Sequence, residues 1–130
     1  MSALQHFRAP DGLAPGPGYS HAVTGRGRWV ATSGQVALDG DGKLVGPGDP
    51  EAQTRQVCEN LKAAIEAAGG TMDDICRVDV FIRNMEHFEK IHKARRDYFT
   101  GTAPASTMVE VCKMTSPEAL IEINAIAVLP

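Results

Sequence analysis

The closing stretch of the chain, Ala119 to Leu129, limits the fold most strongly. Read as a strand, it puts Ile121, Ile123, Ala125 and Ala127 on one face and Ile126 and Val128 on the other, because side chains alternate along a strand. A strand that is apolar on both faces needs cover on both. The stretch Arg28 to Leu38 makes the same demand, with Trp29 and Ala31 opposite Val30 and Val36. The periodicity elsewhere supplies only two helices, and two helices cover one face of a sheet. The other face would be a large bare apolar patch. Self-association through that face is the simplest remedy, so an oligomer is expected.

The helices are marked by their caps and stripes. Asp49-Pro50 opens the first: Asp is a good N-cap and Pro is tolerated at the first helical position. Val57, Leu61, Ala64, Ile65 and Ala68 recur at helical spacing, and Gly69-Gly70 closes the helix. Glu51, Arg55, Glu59, Lys62 and Glu66 form its solvated side. Asn84 caps a second helix, predicted over Met85 to Thr100 with stripe Met85, Phe88, Ile91 and Phe99. Between them, Ile75 to Arg83 alternates as a strand, with Cys76, Val78, Val80 and Ile82 on one face. A hairpin is predicted across Gly25-Arg26-Gly27, from His21 to Leu38, and a further strand over Thr107 to Met114. A short strand at Gln5 to Ala9 completes the order. The fold class is α+β, with a five- to six-stranded sheet and two helices on one face. At 130 residues this is a single domain, 1–130. Aromatics make up 5% of it, so small aliphatic side chains must build the core.

Several function classes fall away. No apolar run approaches the ~20 residues of a membrane span, and Met1 to Arg8 shows no secretory h-region. Cys58, Cys76 and Cys112 make no CxxC and no disulfide framework, which fits a reducing cytoplasm. A cytoplasmic protein is therefore expected. His6, His21, His87 and His92 have no ligand spacing, and Asp39-Gly40-Asp41-Gly42 lacks the Glu that completes a calcium loop. No metal is expected. A net charge of −3 argues against nucleic acid as a partner.

Polar residues inside apolar strands are the candidates for chemistry. Glu122 interrupts the last strand; at a subunit interface it suits proton transfer or water activation, and at a wet edge it would merely pair with Arg83 or Lys113. Ser33 and Gly34 combine a hydroxyl with room for close approach of a ligand, or else form a β-bulge. Tyr19 ends the Gly/Pro-rich loop Ala9 to Ser20, as a pocket cover or a loop anchor. His92 borders a pocket or is a half-buried helix histidine. Glu110 repeats the charge-in-strand pattern and reads as structural. No cysteine has a neighbour placed to make it a thiolate.

The ordered fragments Gly18-Tyr19-Ser20, Ser33-Gly34-Gln35, Gln53-Thr54-Arg55-Gln56, Asn60-Leu61-Lys62-Ala63, Glu66-Ala67-Ala68-Gly69, Val80-Phe81-Ile82, Val109-Glu110-Val111 and Ile121-Glu122-Ile123 resemble the RidA family, also called YjgF or L-PSP. The resemblance runs collinearly over nearly the whole chain. It implies a chorismate-mutase-like fold with a mixed sheet. It also implies a homotrimer in which the sheets form a central barrel and small-molecule clefts lie between subunits. Members with the full site hydrolyse enamines and imines to 2-oxo acids and ammonia without a cofactor. By that likeness Tyr19, Ser33 and Glu122 are catalytic candidates, and Gly34, His92, Ser106 and Met108 line the cleft. Ser106 stands where the family has an arginine, and Met108 where it has a cysteine. A guanidinium holds a carboxylate bidentately and a hydroxyl does not, so activity on 2-imino acids is in doubt. The rival expectations are a non-catalytic metabolite-binding trimer and, disfavoured by the charge, an endoribonuclease.

Overall fold

The computed structural model describes residues 3–130. Its elements are β1 (Leu4–Phe7), β2 (Ala22–Gly25), β3 (Arg28–Ala31), α1 (Pro50–Ala67), β4 (Ile75–Ile82), α2 (Phe88–Arg96), β5 (Ala105–Glu110) and β6 (Ile121–Leu129). The main sheet has four strands in the order β3-β6-β4-β5. The pair β4/β5 is parallel and the other pairs are antiparallel, so the sheet is mixed. β1 and β2 form a separate two-stranded ribbon.

This corrects the expected single sheet of five or six strands and the expected hairpin. β2 does not pair with β3. Gly27, at φ +142, lets the backbone press against the end of β6, where a Cβ would lie 1.8 Å from the Leu129 carbonyl oxygen. The chain therefore crosses from ribbon to sheet there. β3 also ends early. Thr32 still donates its N–H to Ala125 O, but Ala125 N donates to the Thr32 hydroxyl instead of its carbonyl. Gln35 and Ile123 then exchange both backbone bonds, at 2.8 and 3.1 Å. Ser33 and Gly34 are left facing Asn124 alone, which is a β-bulge.

α1 begins and ends where its signals lie. Asp49 accepts from Ala52 N at 3.1 Å, and Gly69 takes φ +93 beyond the last turn. Val57, Leu61 and Ile65 are fully buried against Ile121, Ile123 and Ala125 of β6 and Val78, Val80 and Ile82 of β4. Ala64 and Ala68 of the expected stripe are only half-buried. A register shift between Ile75 and Arg77 sends Ile75 into the core and leaves Cys76 half-buried, so Cys76 does not share the face of Val78.

The second helix is shorter than its pattern. Asn84 accepts from Glu86 N and Glu110 accepts from Met85 N at 2.8 Å, which tightens Met85–His87 into a 3₁₀ turn before α2 begins. Met85 and Phe88 are consequently exposed, while Ile91 and Ala94 are buried. The α1 face read as merely solvated carries Arg55, which reaches Asp97 at the end of α2 at 2.8 Å. Glu51 also pairs with Lys93 across the helices.

Both helices cover one face of the sheet. The opposite face presents Trp29 at 68% exposure, with Phe81, Val109, Ile126 and Val128. No helix of the described residues is long and apolar enough to cross a membrane.

Candidate functional site

The Gly/Pro-rich loop is tied down at both ends. Arg8 donates to Gly16 O, and Ser20 donates its N–H to Pro104 O and its hydroxyl to Ala103 O. These bonds seat the loop beside the start of β5. Gly16 leaves room for the Tyr19 ring, which a Cβ there would strike. Gly18, at φ +77, faces His92, whose Cε1 would lie 2.8 Å from an added Cβ. His92 stacks on Phe88 at 5.4 Å between ring centroids. The loop thus closes onto α2, and a cavity of about 290 Å³ forms, walled by Tyr19, Phe88, His92, Arg95, Ser106 and Met108.

The register explains why Ser106 and Met108 face this cavity. They stand opposite Val78 and Val80 of β4, which point toward the helices. Burial holds the His92 pKa below its ordinary 6.5, and the charges of Arg96 and Arg95 push it the same way. The ring is therefore a neutral hydrogen-bonding group near neutral pH.

Glu122 lies elsewhere. It stands opposite Phe81, on the face away from the helices. Phe81, Val111, Lys113, Met114 and Thr115 surround it in a shallow hollow of about 280 Å³. Gly34 passes directly beneath the carboxylate: an added Cβ would sit 2.1 Å from Glu122 Oε2. The bulge at Ser33 and Gly34 is what brings Gly34 there, with Ser33 its exposed neighbour in the chain.

The seven candidates therefore fall into two groups on opposite faces of the sheet. Tyr19, His92, Ser106 and Met108 form one; Gly34 and Glu122 form the other, with Ser33 next to Gly34 in the bulge. The first group lies along β5, which is an edge strand.

Arg95 is the cavity residue that the sequence reading passed over. The signal that points to it is spacing: Phe88, His92 and Arg95 share one helical face at steps of four and three. Its guanidinium lies over the Phe99 ring at 5.7 Å.

Other polar candidates have structural partners. Asp39 accepts from Asp41 N and Lys43 N within its turn. His21 bonds Ala14 O, and Glu110 holds the 3₁₀ turn. Burial pushes the Cys58 thiol up to about 12 and raises that of Cys76. Neither is a ready nucleophile. Among the described residues no group of three or more His, Cys, Asp or Glu could hold a metal ion.

Comparison with known proteins agrees with this architecture. The sequence profile of the family described as Endoribonuclease L-PSP matches residues 9–129. A RutC family protein of Pyrococcus horikoshii is 38% identical over 92% of this chain and 90% of its own. The Rid-family protein YyfB of Yersinia pestis superposes with a TM-score of 0.89 at 34% identity, over 98% of this chain and 99% of that one. E. coli TdcF, solved with bound serine, is 33% identical with a TM-score of 0.73, over 95% of this chain and 94% of its own.

Proposed function

Because this chain belongs to the RidA family, also called YjgF or L-PSP, we propose that it is a homotrimer whose intersubunit clefts hydrolyse a small reactive imine or enamine. The observation that carries this reading is the division of the candidate residues between opposite faces of the sheet. A second copy laying its Glu122 face along the β5 edge of the first would join the two groups. The same packing would cover Trp29 and Ile126, whose exposure otherwise has no remedy.

In this cleft Tyr19 and Ser33 orient the C=N group. Gly34 leaves space for the substrate beside Glu122, and His92, Ser106 and Met108 shape the wall. Glu122 takes a proton from water as the oxygen bonds to the imine carbon, and returns it to the nitrogen. The carbinolamine then collapses: its hydroxyl proton passes through Glu122 to the nitrogen, the C–N bond breaks, ammonia leaves and a C=O group remains. An enamine first takes a proton on carbon to become the imine. No cofactor enters the balance. The serine bound by TdcF supports a ligand of amino-acid size.

The test is to generate imines in solution and follow their decay with and without the protein. Acceleration is expected, and Glu122→Ala should lower it about a hundredfold or more, the scale of a positioned general base. If no imine decays faster with the protein than without it, the hydrolase reading is wrong. The Ser at position 106 favours a second reading, a trimer that binds a metabolite without turnover. Ligands would then raise the melting temperature while remaining chemically unchanged.

A further inference from the structure

The cleft wall contains a cation without a counter-ion. Among the described residues, no carboxylate lies within ion-pairing distance of Arg95 and its guanidinium makes no hydrogen bond, whereas Arg55 and Arg77 reach aspartates at 2.8 and 2.7 Å. Arg95 Nε is enclosed and has no hydrogen-bond partner. Burial lowers the Arg95 pKa, and the Cys58 thiol that acts on it is itself pushed up to about 12, so it is neutral and no counter-ion. An enclosed guanidinium with no partner is costly and is usually paired. The Phe99 ring beneath it is neutral and offers no counter-ion, so what remains for it to pair with is a ligand.

Its surroundings specify the charge of that ligand. Arg95 faces two adjoining cavities, the one of about 290 Å³ that holds Ser106 and Met108, and one of about 390 Å³ that also holds Arg8 and Arg96. No Asp or Glu lines either cavity. The pKa of His92, between them, is lowered by burial first and then by Arg96 and Arg95. Ser106 is short, so the volume a long side chain would fill on β5 is open to a group held from α2.

We infer that Arg95 is the carboxylate-binding group of the cleft, reaching from α2 the place left open by Ser106 on β5. This rests on the cleft proposed above. Arg95 binds one carboxylate through paired N–H donors, and the Ser106 hydroxyl donates to the same group. The C=N carbon then projects toward the side where a neighbouring copy would bring Glu122. The doubt raised by the absent β5 arginine is answered by relocation of the charge rather than by its loss.

Two measurements separate this inference from the function on which it rests. First, decay of 2-iminopropionate is compared with decay of an uncharged imine of similar size. Arg95→Gln should lower kcat/KM for 2-iminopropionate about a hundredfold, as expected for losing one partner of a desolvated charge pair, chiefly through KM. The uncharged imine should change less than about threefold. Equal loss on both substrates, or no loss, overturns the inference while leaving the hydrolase reading in place.

Second, binding is read without turnover. Pyruvate should raise the melting temperature of the wild-type protein, and acetone and inorganic phosphate at equal concentration should not. Arg95→Gln should abolish the pyruvate shift, and adding Ser106→Arg to that variant should restore it. Stabilisation by phosphate equal to that by pyruvate overturns the carboxylate assignment. Should Arg95→Gln fail to fold, Arg95→Lys keeps the charge but not the fork. It should bind pyruvate at least tenfold more weakly, and unchanged binding overturns the paired-donor geometry. If pyruvate binds through Arg95 but no imine decays, the inference stands and the hydrolase reading falls.

Discussion

At the scale of single residues, the site depends on missing side chains as much as on present ones. Gly34 has no need of a left-handed backbone; it is required by the Glu122 carboxylate lying against it. Gly34→Ala should therefore leave the melting temperature nearly unchanged, because the end of a flexible glutamate can swing aside. It should lower turnover about ten- to a hundredfold, the usual effect of misplacing a reacting group by an ångström. A wild-type rate in that variant would detach Gly34 from the chemistry. His92 gives a second prediction. Its pKa is held below 6.5 by burial, then by Arg96 and Arg95. The unfolded chain therefore binds its proton more readily. Stability from this group is full above pH 6.5 and falls as pH drops toward the depressed folded value. NMR titration should find its midpoint below 6.5, and Arg96→Gln should move that midpoint up.

At the scale of elements, most of the fold could be read locally. α1 carries its start, stripe and stop within its own sequence, and the alternation of β6 shows which residues lie inward. Features set by distant partners could not be read so. The divorce of β2 from β3 depends on the end of β6, about a hundred residues further along. The bulges at Ser33 and Cys76 likewise come from register against β6. The same holds for the site: Glu122, Ser33, Tyr19 and His92 stand out as polar residues in or beside apolar segments, and Ser106 and Met108 come from family likeness, but their separation onto two faces is a matter of register. Arg95 was hidden because an arginine in a basic helix end looks solvated.

Gln53 shows how a motif residue can serve elements rather than chemistry. Fully buried in α1, it donates to Gly46 O and Glu118 O and accepts from Leu120 N at 2.8 Å. It fastens the entry of α1 to the start of β6. Gln53→Ala should cost about 2–4 kcal/mol, since it leaves buried backbone groups unsatisfied. Urea unfolding of the variant measures this, and a loss below about 0.5 kcal/mol would show that water replaces the amide.

At the scale of the whole molecule, the bare sheet face governs behaviour. If that face is the contact of the homotrimer proposed above, Trp29→Glu should leave the far-UV circular dichroism of the chain intact but give a monomer in sedimentation. Activity should fall with assembly. A monomer that still turned over imines would place the whole site in one chain.

The opposite placement of Glu122 and Ser106 also has a genetic meaning. If each cleft takes one half from each of two copies, two inactive chains can repair one another. Glu122→Ala and Arg95→Gln, unfolded together and reassembled in equal amounts, should recover activity at about a quarter of the clefts, the share in which both halves are intact. The reverse also follows. A chain damaged on both faces spoils two clefts in every trimer it joins, so its defect would be felt beyond its own numbers in a cell that also makes the intact chain.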